Sequence, residues 1–239
     1  QLSIIIPAKN EERALPELLR VLKAQRHIDM EVIVADADST DRTRSVAESL
    51  GARVVKGGLP GPGRNAGAAV ARGEWLCFHD ADVLPLSDTW YEQVLAKLEA
   101  AHADVGTVRL VPEKQDWLNR VYHTAYHWFT GISAVLVPHA PGSCIFVRRT
   151  WHERVRGFDE TVIFAEDMEY VQRLQRAGAK FVYLGGIHLR ASVRRLERDG
   201  HARIAWRYLR AEWYMRTKGP IRKELFPYAF DYPTKDRTS

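Results

Sequence analysis

Two aspartates stand one residue apart at the end of an apolar run. The run 75–79 is bounded by Gly73 and Pro85, and Asp80 and Asp82 follow it directly. A short apolar run with such boundaries is typical of a buried strand, so both carboxylates are expected at its carboxyl end, where open α/β sheets bind their ligands. A divalent cation that bridges to a phosphate relieves the repulsion between two such carboxylates. Asp-x-Asp also arises by chance, and Asp82 alone is compatible with the start of a turn.

The first hundred residues must supply the framework that positions these acids. Apolar runs of strand length alternate with segments of helical spacing. The predicted elements are strand 2–6, helix 11–25, strand 31–35, a short helix ending at Gly51, strand 53–55, a glycine-rich loop 56–63, a small-residue helix from Arg64 to Gly73, the strand before Asp80, and a helix through Trp90 and Leu98. This alternation predicts a parallel sheet with helices on both faces.

The second half changes character. Its predicted elements are strand 105–111, an aromatic helix 117–128, strand 143–147, a turn at 157–160, a helix that begins in the acidic group 165–169 and ends at Gly178, strand 180–184, and a basic, aromatic, helical tail from Ser192. We find no linker composition between independent domains and no internal repeat.

Bulk properties favour a globular protein with anionic partners. The 239 residues are 46% hydrophobic and 10% aromatic, which is enough for a full core. The sequence lacks an apolar run of about 18 residues and its first residues do not resemble a signal peptide, so we predict a cytoplasmic protein. Cys77 and Cys144 lie in apolar runs and are expected to be buried thiols. The net charge of +5 is concentrated in 190–223, which suits phosphate, lipid headgroups or nucleic acid.

Three predicted strand ends carry polar side chains. They are 7–12, 36–41 and 80–82, and parallel strands bring such ends to one edge of the sheet. Arg64 joins them from the glycine-rich loop. Carboxylates for a metal and an arginine for phosphate suit a nucleotide diphosphate. The glycine-rich loop 56–63 is not a P-loop, because no Gly-Lys-Ser/Thr follows it. The dinucleotide-binding sequence Gly-x-Gly-x-x-Gly is also missing after the first strand.

The order of these motifs resembles that of the family 2 glycosyltransferases, which have the GT-A fold. The matching segments, over about residues 2–200, are IIIPAKNEE, VIVADADSTD, GPGRNAGAAVARGEW, FHDADV, GFDE, AEDMEYVQRLQRAG and ASVRRLERDG. The resemblance implies a Rossmann-like three-layer α/β/α sandwich with a mostly parallel central sheet. It also implies a hexosyltransferase that moves a mannose- or glucose-type sugar, with inversion, from a GDP- or UDP-linked donor to a hydroxyl acceptor.

The resemblance also implies residue roles. Asp82, with Asp80, matches the motif that binds Mn²⁺ or Mg²⁺, and His188 is either a further ligand of the metal or phosphate or a structural residue. The candidate contacts of the nucleotide sugar are Pro7, Ala8, Lys9, Asn10, Glu11, Asp36, Asp38, Gly63, Arg64, Asp80, Ala81, Arg194 and Arg195. Where the family usually has Asp-Asp-Gly-Ser, this chain has Asp-Ala-Asp-Ser at 36–39. Asp38 is therefore a candidate replacement for the missing second carboxylate. The departure at Ala37 also keeps GDP-mannose as a candidate donor beside UDP-sugars.

Asp167 matches the family's catalytic base. A position near a helix N-terminus favours an ionised carboxylate that is ready to accept a proton. Glu166 has three open interpretations: it orients the acceptor, it stabilises the helix as an N-terminal acid, or it exchanges roles with Asp167.

The chain then divides into a catalytic domain at 1–191 and a basic extension at 192–239. The domain has a nucleotide-sugar half at 1–111 and an acceptor half at 112–191. The aromatic segment 122–128 and the loop 137–142 are candidate acceptor-binding elements. For the helical segment 122–128, packing in the core is the alternative. The tail 203–223 either closes the domain or docks on an anionic membrane at the inner face of the cell membrane, near a sugar or lipid-linked acceptor.

One alternative belongs to another functional class. A basic module that binds nucleic acid or membranes through a degenerate α/β site would also explain the charge of the tail. A carboxylate-lined crevice repels polyanions, so we expect no nucleic-acid partner.

Overall fold

The computed structural model describes residues 1–136 and 142–223. The strands are β1 Leu2–Ala8, β2 Met30–Asp36, β3 Arg53–Lys56, β4 Trp75–His79, β5 Val83–Pro85, β6 Val105–Pro112, β7 Cys144–Arg148 and β8 Phe181–Ala191. The helices are α1 Leu15–Lys23, α2 Thr43–Ser49, α3 Pro60–Val70, α4 Trp90–Ala100, α5 Trp117–Leu136, α6 Arg149–Arg154, α7 Glu166–Arg176, α8 Arg194–Asp199 and α9 His201–Lys218. The predicted loop segment 137–141 and the tail segment 224–239 lie outside the described residues.

The described strands form one sheet in the order β3-β2-β1-β4-β7-β6-β8-β5. Pairing is parallel from β3 through β4 and between β6 and β8, and it is antiparallel at β4-β7, β7-β6 and β8-β5. Ala8 pairs with Asp36 in register, so the polar ends of β1 and β2 lie side by side. The predicted mostly parallel α/β architecture is confirmed.

Alternate side chains of β1 enter two separate cores. Ile4 and Ile6 pack with the buried leucines of α1 and with Tyr91 of α4. Ile5 faces the other way and packs in the cluster that contains Tyr170 of α7. Both faces of the central strand are therefore covered, which explains its unbroken apolar sequence.

The glycine-rich stretch predicted as a loop over 56–63 is helical from Pro60. Proline is compatible with the first turn of a helix, since the missing N–H has no intrahelical partner there. Gly61 and Gly63 are buried inside α3. Their low helix propensity predicted a loop, and tertiary packing overrides that preference. Arg64 consequently lies one turn after the start of α3, in a rigid helix.

The basic segment after β8 packs on the domain through its inner face. Val193, Leu196 and Ile204 form a small buried cluster with Tyr122 and Tyr208 at its margin. The predicted helical tail is confirmed over α8 and α9. None of the helices in the described residues is long and apolar enough to cross a bilayer.

The close approach of α3 to β1 is testable by substitution. A Cβ on Gly67 would stand 2.4 Å from Ile5 Cγ2, and β-branched side chains have little rotamer freedom. We expect Gly67→Ala to lower the free energy of unfolding in urea by about 1–3 kcal/mol.

Gly131→Ala in α5 is the matched control, because its Cβ would meet nothing nearer than Tyr183 Cε1 at 3.8 Å. We expect that variant to be neutral or to gain about 0.5–1 kcal/mol. Equal stability of the two variants would contradict the tight seating of α3 on β1.

Candidate active site

A cavity of about 530 Å³ opens at the carboxyl ends of β1 and β4. The N-terminal ends of α3 and α7 form its opposite wall, and α9 closes one side. The lining residues are Pro7, Ala8, Lys9, Glu11, Ala37, Gly58, Leu59, Pro60, Arg64, Asp80, Ala81, Asp82, Gly142, Ser143, Phe164, Ala165, Glu166, Asp167, Arg195 and Tyr208. Glu11, Asp80 and Asp82 from the predicted strand ends thus share one cavity with Glu166 and Asp167 of the predicted base motif.

Arg64 lies in the wall that α3 and α7 form, and its side chain is only 3% exposed. Its Nη1 donates to Glu166 Oε1 at 2.6 Å, and its Nη2 donates to Asp80 Oδ1 at 3.3 Å and to the Gly142 carbonyl at 3.1 Å. A buried guanidinium requires such compensation, because its desolvation is costly. The contacts join α3, the end of β4, the segment before β7 and the start of α7.

Asn65 fixes the next turn of the wall. Its Nδ2 donates to the Phe158 carbonyl at 2.9 Å, and its Oδ1 accepts from the Phe158 N–H at 2.8 Å. Gly157 has φ +70°, and a Cβ there would stand 2.5 Å from Asn65 Oδ1. A glycine is therefore required at 157 in the sequence GFDE. The Phe158 ring in turn lies 5.4 Å from the Arg64 guanidinium.

Ala165 has φ 57°, in the left-handed region, immediately before α7. Such a conformation is costly for a residue with a Cβ and commonly occurs at functional sites. Here it turns the chain so that Glu166 and Asp167 open the helix inside the cavity. The acidic pair is therefore positioned by backbone strain as well as by Arg64.

A second arginine crosses the metal side of the cavity. Arg194 Nη2 lies 3.2 Å from Glu11 Oε2 and 3.2 Å from Asp82 Oδ2. The register of β8 against β5 delivers this arginine, since the Ser192 N–H donates to the Asp82 carbonyl at 3.1 Å. Arg194 thus screens two acids that would otherwise repel each other.

The screening is incomplete. Burial, with the nearby charges of Asp82 and Asp80 and against that of Arg194, raises the pKa of Glu11 from 4.5 to about 7. Burial and Asp80 also raise the pKa of Asp82. The cavity therefore carries excess negative charge that a cation would relieve.

The donor set fits a hard divalent cation. Within the described residues no three side chains of metal-binding type converge with ligand geometry. Asp82 and Asp80 supply two carboxylates, and Mg²⁺ is commonly held by one or two carboxylates plus the phosphates of its substrate. Asp82 and Asp80 are thus the residues that would hold such an ion.

The electrostatics of the acidic pair of α7 depend on its burial. Burial raises the pKa of Asp167, although Arg64 and the Met168 N–H oppose the shift. Desolvation opposes the preference of the helix N-terminus for the ionised form, and ionised Asp167 stays a prediction. Burial also raises the pKa of Glu166 against the opposing charge of Arg64. A raised pKa makes a carboxylate a stronger base.

Six of the predicted site residues are not among those that line the cavity: Asn10, Asp36, Asp38, Gly63, Arg194 and His188. His188 is exposed on β8, where the alternation of side chains sends Ile187 and Leu189 into the core instead. Its role as a ligand of the metal or phosphate stays a prediction, beside the structural alternative. The Asp38 side chain is 81% exposed and its Oδ1 lies 3.9 Å from Lys56 Nζ, so its contact with the nucleotide also stays a prediction. Gly63 lies behind the lining, against Pro7.

Asn10 makes local structural contacts, and its predicted contact with the nucleotide sugar stays a prediction. Its N–H donates to Ser39 Oγ at 3.0 Å, and its Oδ1 accepts from the Thr40 N–H at 2.9 Å. These bonds tie the loop after β1 to the loop after β2. Asp36 is buried beneath them, and within the described residues its Oδ1 has no hydrogen-bond partner.

Sequence reasoning missed several lining residues. Tyr208 reaches the cavity from α9, where it interacts with Arg195. Its place on the buried stripe with Ile204 and Ala211 is the signal that the helical spacing offered. Phe164 and Ser143 carry no comparable signal in the sequence.

A family model described as glycosyl transferase family 2 matches residues 3–156. The chain belongs to this family. Among curated proteins, this chain is similar to the 4,4'-diaponeurosporenoate glycosyltransferase of Staphylococcus haemolyticus. The two are 32% identical over 143 residues, and the alignment covers 56% of this chain and 35% of that protein. The chain thus spans about a third of that relative's length.

Solved structures share the fold. The mannosyltransferase PcManGT of Pyrobaculum calidifontis, in complex with GDP-Man and Mn²⁺, aligns with a TM-score of 0.66 at 21% identity over 88% of this chain and 61% of that one. TarS of Staphylococcus aureus, in complex with UDP, aligns with a TM-score of 0.64 at 22% identity over 81% and 60%. The expected GT-A-type fold is confirmed.

The charge imbalance at Glu11 gives a pH-dependent expectation for stability. The folded-state pKa of about 7 lies above the ordinary 4.5, so ionisation destabilises the folded state as pH rises through this window. Below pH 4.5 the penalty is absent, and above pH 7 it is complete. We expect Glu11→Gln to raise the free energy of unfolding at pH 8, in EDTA, by on the order of 2–3 kcal/mol.

The gain should fall towards zero by about pH 4.5, as followed by urea denaturation at several pH values. Glu17→Gln is the control, because that side chain is 60% exposed and surface charges contribute little. A gain at Glu11 that did not depend on pH would contradict the burial of an ionised carboxylate.

Proposed function

We propose that this chain is the catalytic part of a divalent-metal-dependent inverting glycosyltransferase. It transfers a mannose- or glucose-type sugar from a GDP- or UDP-linked donor to a hydroxyl acceptor. The observation that carries the proposal is the sharing of one cavity by Asp80 and Asp82 on one wall and Asp167 on another, with buried Arg64 between the walls.

The donor binds along the strand ends. Pro7, Ala8 and Lys9 line the part of the cavity that we assign to the nucleoside. Asp82 and Asp80 are the residues that would hold a divalent cation, and such an ion would supply stabilisation of the charge that grows on the leaving diphosphate. Arg195, which lines the same cavity, adds a cationic contact.

The acceptor hydroxyl attacks the anomeric carbon from the face opposite the diphosphate. A carbon–oxygen bond forms there as the bond to the diphosphate breaks, and Asp167 accepts the proton from the hydroxyl. Glu166 is less suited to this step, because Arg64 holds its carboxylate at 2.6 Å, whereas Asp167 has no salt-bridge partner within the described residues. Glu166 instead positions Arg64, and through it Asp80.

Donor and acceptor identities are proposed at the level of class. Solved neighbours bound to GDP-Man with Mn²⁺ and to UDP support both donor nucleotides. The acceptor is a sugar or a lipid-linked hydroxyl compound. The alternative, a basic binding module with a degenerate α/β site, is not favoured, because the cavity retains the acidic groups that such a module does not need.

Donor binding should depend on Asp82. In calorimetric titrations of GDP-mannose, UDP-glucose and UDP-GlcNAc, with and without Mn²⁺, we expect one nucleotide class to bind in a metal-dependent manner. Asp82→Asn should weaken that binding by at least about tenfold, since a direct metal ligand is lost. Asp88→Asn, at a side chain 47% exposed and away from the cavity lining, is the control and should bind normally. Binding that ignores metal, or no binding of any nucleotide sugar, would refute the proposal.

Turnover should depend on Asp167 independently of donor binding. Asp167→Asn should bind the donor normally and lower kcat by at least about 10²-fold, because a general base contributes that much. Glu166→Gln should also lower donor affinity, since it loosens Arg64 beside Asp80. Hydrolysis of the donor serves as the assay while the acceptor is unidentified, and NMR of the transferred sugar gives the anomer. Wild-type turnover by Asp167→Asn would assign the base elsewhere.

A further inference from the structure

The outward face of α9 carries large apolar side chains in a stripe. Trp206, Leu209 and Trp213 are 65%, 62% and 61% exposed, respectively. The inward face of the same helix buries Ile204 and Ala211. The helix therefore has a normal core face and a second apolar face towards solvent, which is unusual for a helix that closes a domain.

The outward face of α5 has the same character. Trp117, Val121, Trp128 and Ile132 recur at helical spacing and are 74%, 58%, 64% and 66% exposed. Asn119, His123 and Thr130 occupy the buried side. Two helices thus present exposed tryptophans and aliphatic side chains.

The two helices meet at the N-terminal end of α9. His201 at the start of α9 lies with its Nε2 2.7 Å from Asn119 Oδ1 of α5. The rings of Tyr122 and His201 are 5.7 Å apart. We call the outward stripes of α5 and α9 together the tryptophan face.

Basic residues accompany this face. The helix α5 contains no aspartate or glutamate, and α9 contains one acid, Glu212, against five basic residues. The five are Arg203, Arg207, Arg210, Arg216 and Lys218. Arg207 is paired with Asp199, and Arg216 with Glu212. Arg203 and Lys218 are exposed, so the charge on the rim of the face is positive.

We propose that the tryptophan face docks in the interfacial layer of a membrane with anionic headgroups. Tryptophan rings favour the boundary between acyl chains and headgroups, and leucine, valine and isoleucine enter the acyl side. Arginines on the flanks of the helix meet the headgroup charge. The described helices cannot span the bilayer, so this contact is peripheral.

A membrane fits this face better than single-stranded nucleic acid. Nucleic-acid platforms combine stacking rings with a continuous basic groove. Here Leu209, Val121 and Ile132 stand among the tryptophans, and aliphatic side chains give no stacking surface. The mixture instead matches one face of an interfacial helix.

Docking would bring the cavity to the membrane surface. Tyr208 lies on the inward side of α9, one residue from Leu209, and lines the cavity. A helix in the interface therefore places the cavity within one helix diameter of the headgroups. On the proposed function, this geometry favours an acceptor hydroxyl carried by a lipid-linked molecule.

Flotation with vesicles tests the docking. The full chain is mixed with vesicles of phosphatidylcholine, with or without phosphatidylglycerol, at low and high salt. We expect binding to the anionic vesicles that weakens with salt. Trp206→Ser with Trp213→Ser, and separately Trp117→Ser with Trp128→Ser, should each lower the partition coefficient by at least about tenfold. Arg203→Gln should lower it by roughly fivefold on anionic vesicles alone.

Leu86→Ser is the matched control, since Leu86 is 53% exposed on another part of the surface, and it should bind as the wild type does. Absence of binding to anionic vesicles, or equal binding by the tryptophan variants, overturns the proposal. So does sedimentation as a dimer that the tryptophan variants dissociate, or tryptophan-dependent binding of single-stranded RNA tighter than that of vesicles. Donor titration on the same preparations is independent, so failure of docking and failure of the proposed function are distinguishable.

Discussion

The buried guanidinium of Arg64 is the contact on which the cavity depends. It carries a full charge at 3% exposure, and the carboxylates of Glu166 and Asp80 with the Gly142 carbonyl compensate for its desolvation. Because these partners come from separate parts of the chain, the two walls of the cavity are fixed relative to each other by one side chain. Removal of Glu166 or Asp80 would leave the buried charge with less compensation for its desolvation, which is destabilising.

A cavity with buried charges is stable only when opposite charges compensate each other. Around the predicted metal ligands Asp80 and Asp82 the compensation is incomplete. Glu11 and Asp82 share the cation of Arg194, whereas Asp80 contacts Arg64. Burial, together with the charges of Asp82 and Asp80, raises the pKa of Glu11 in spite of Arg194. An arrangement that destabilises the empty site favours a ligand that brings positive charge. The strained backbone at Ala165 belongs to the same pattern, since it serves the position of Asp167 and not the stability of α7.

The strand-end acids could be predicted from the sequence, because alternation of short apolar runs and helical segments fixes a parallel sheet and its ligand edge. Local patterns failed where distant contacts decide. Glycines in α3 predicted a loop, although packing on β1 makes them helical. The orientation of His188 depends on the register of β8, and the partners of Arg64 lie 16 and 102 residues away in sequence. Neither feature leaves a trace in its own segment.

The last helix links the site to the molecular surface. Its inward side sends Tyr208 into the cavity, close enough for the charge of Asp167 to act on the pKa of that tyrosine. Its outward side carries Trp206 and Trp213. A rigid helix cannot move one side without the other, so any surface that holds the tryptophans also fixes Tyr208 beside the acidic pair. The exposed tryptophans and the cavity lining are therefore coupled through one helix.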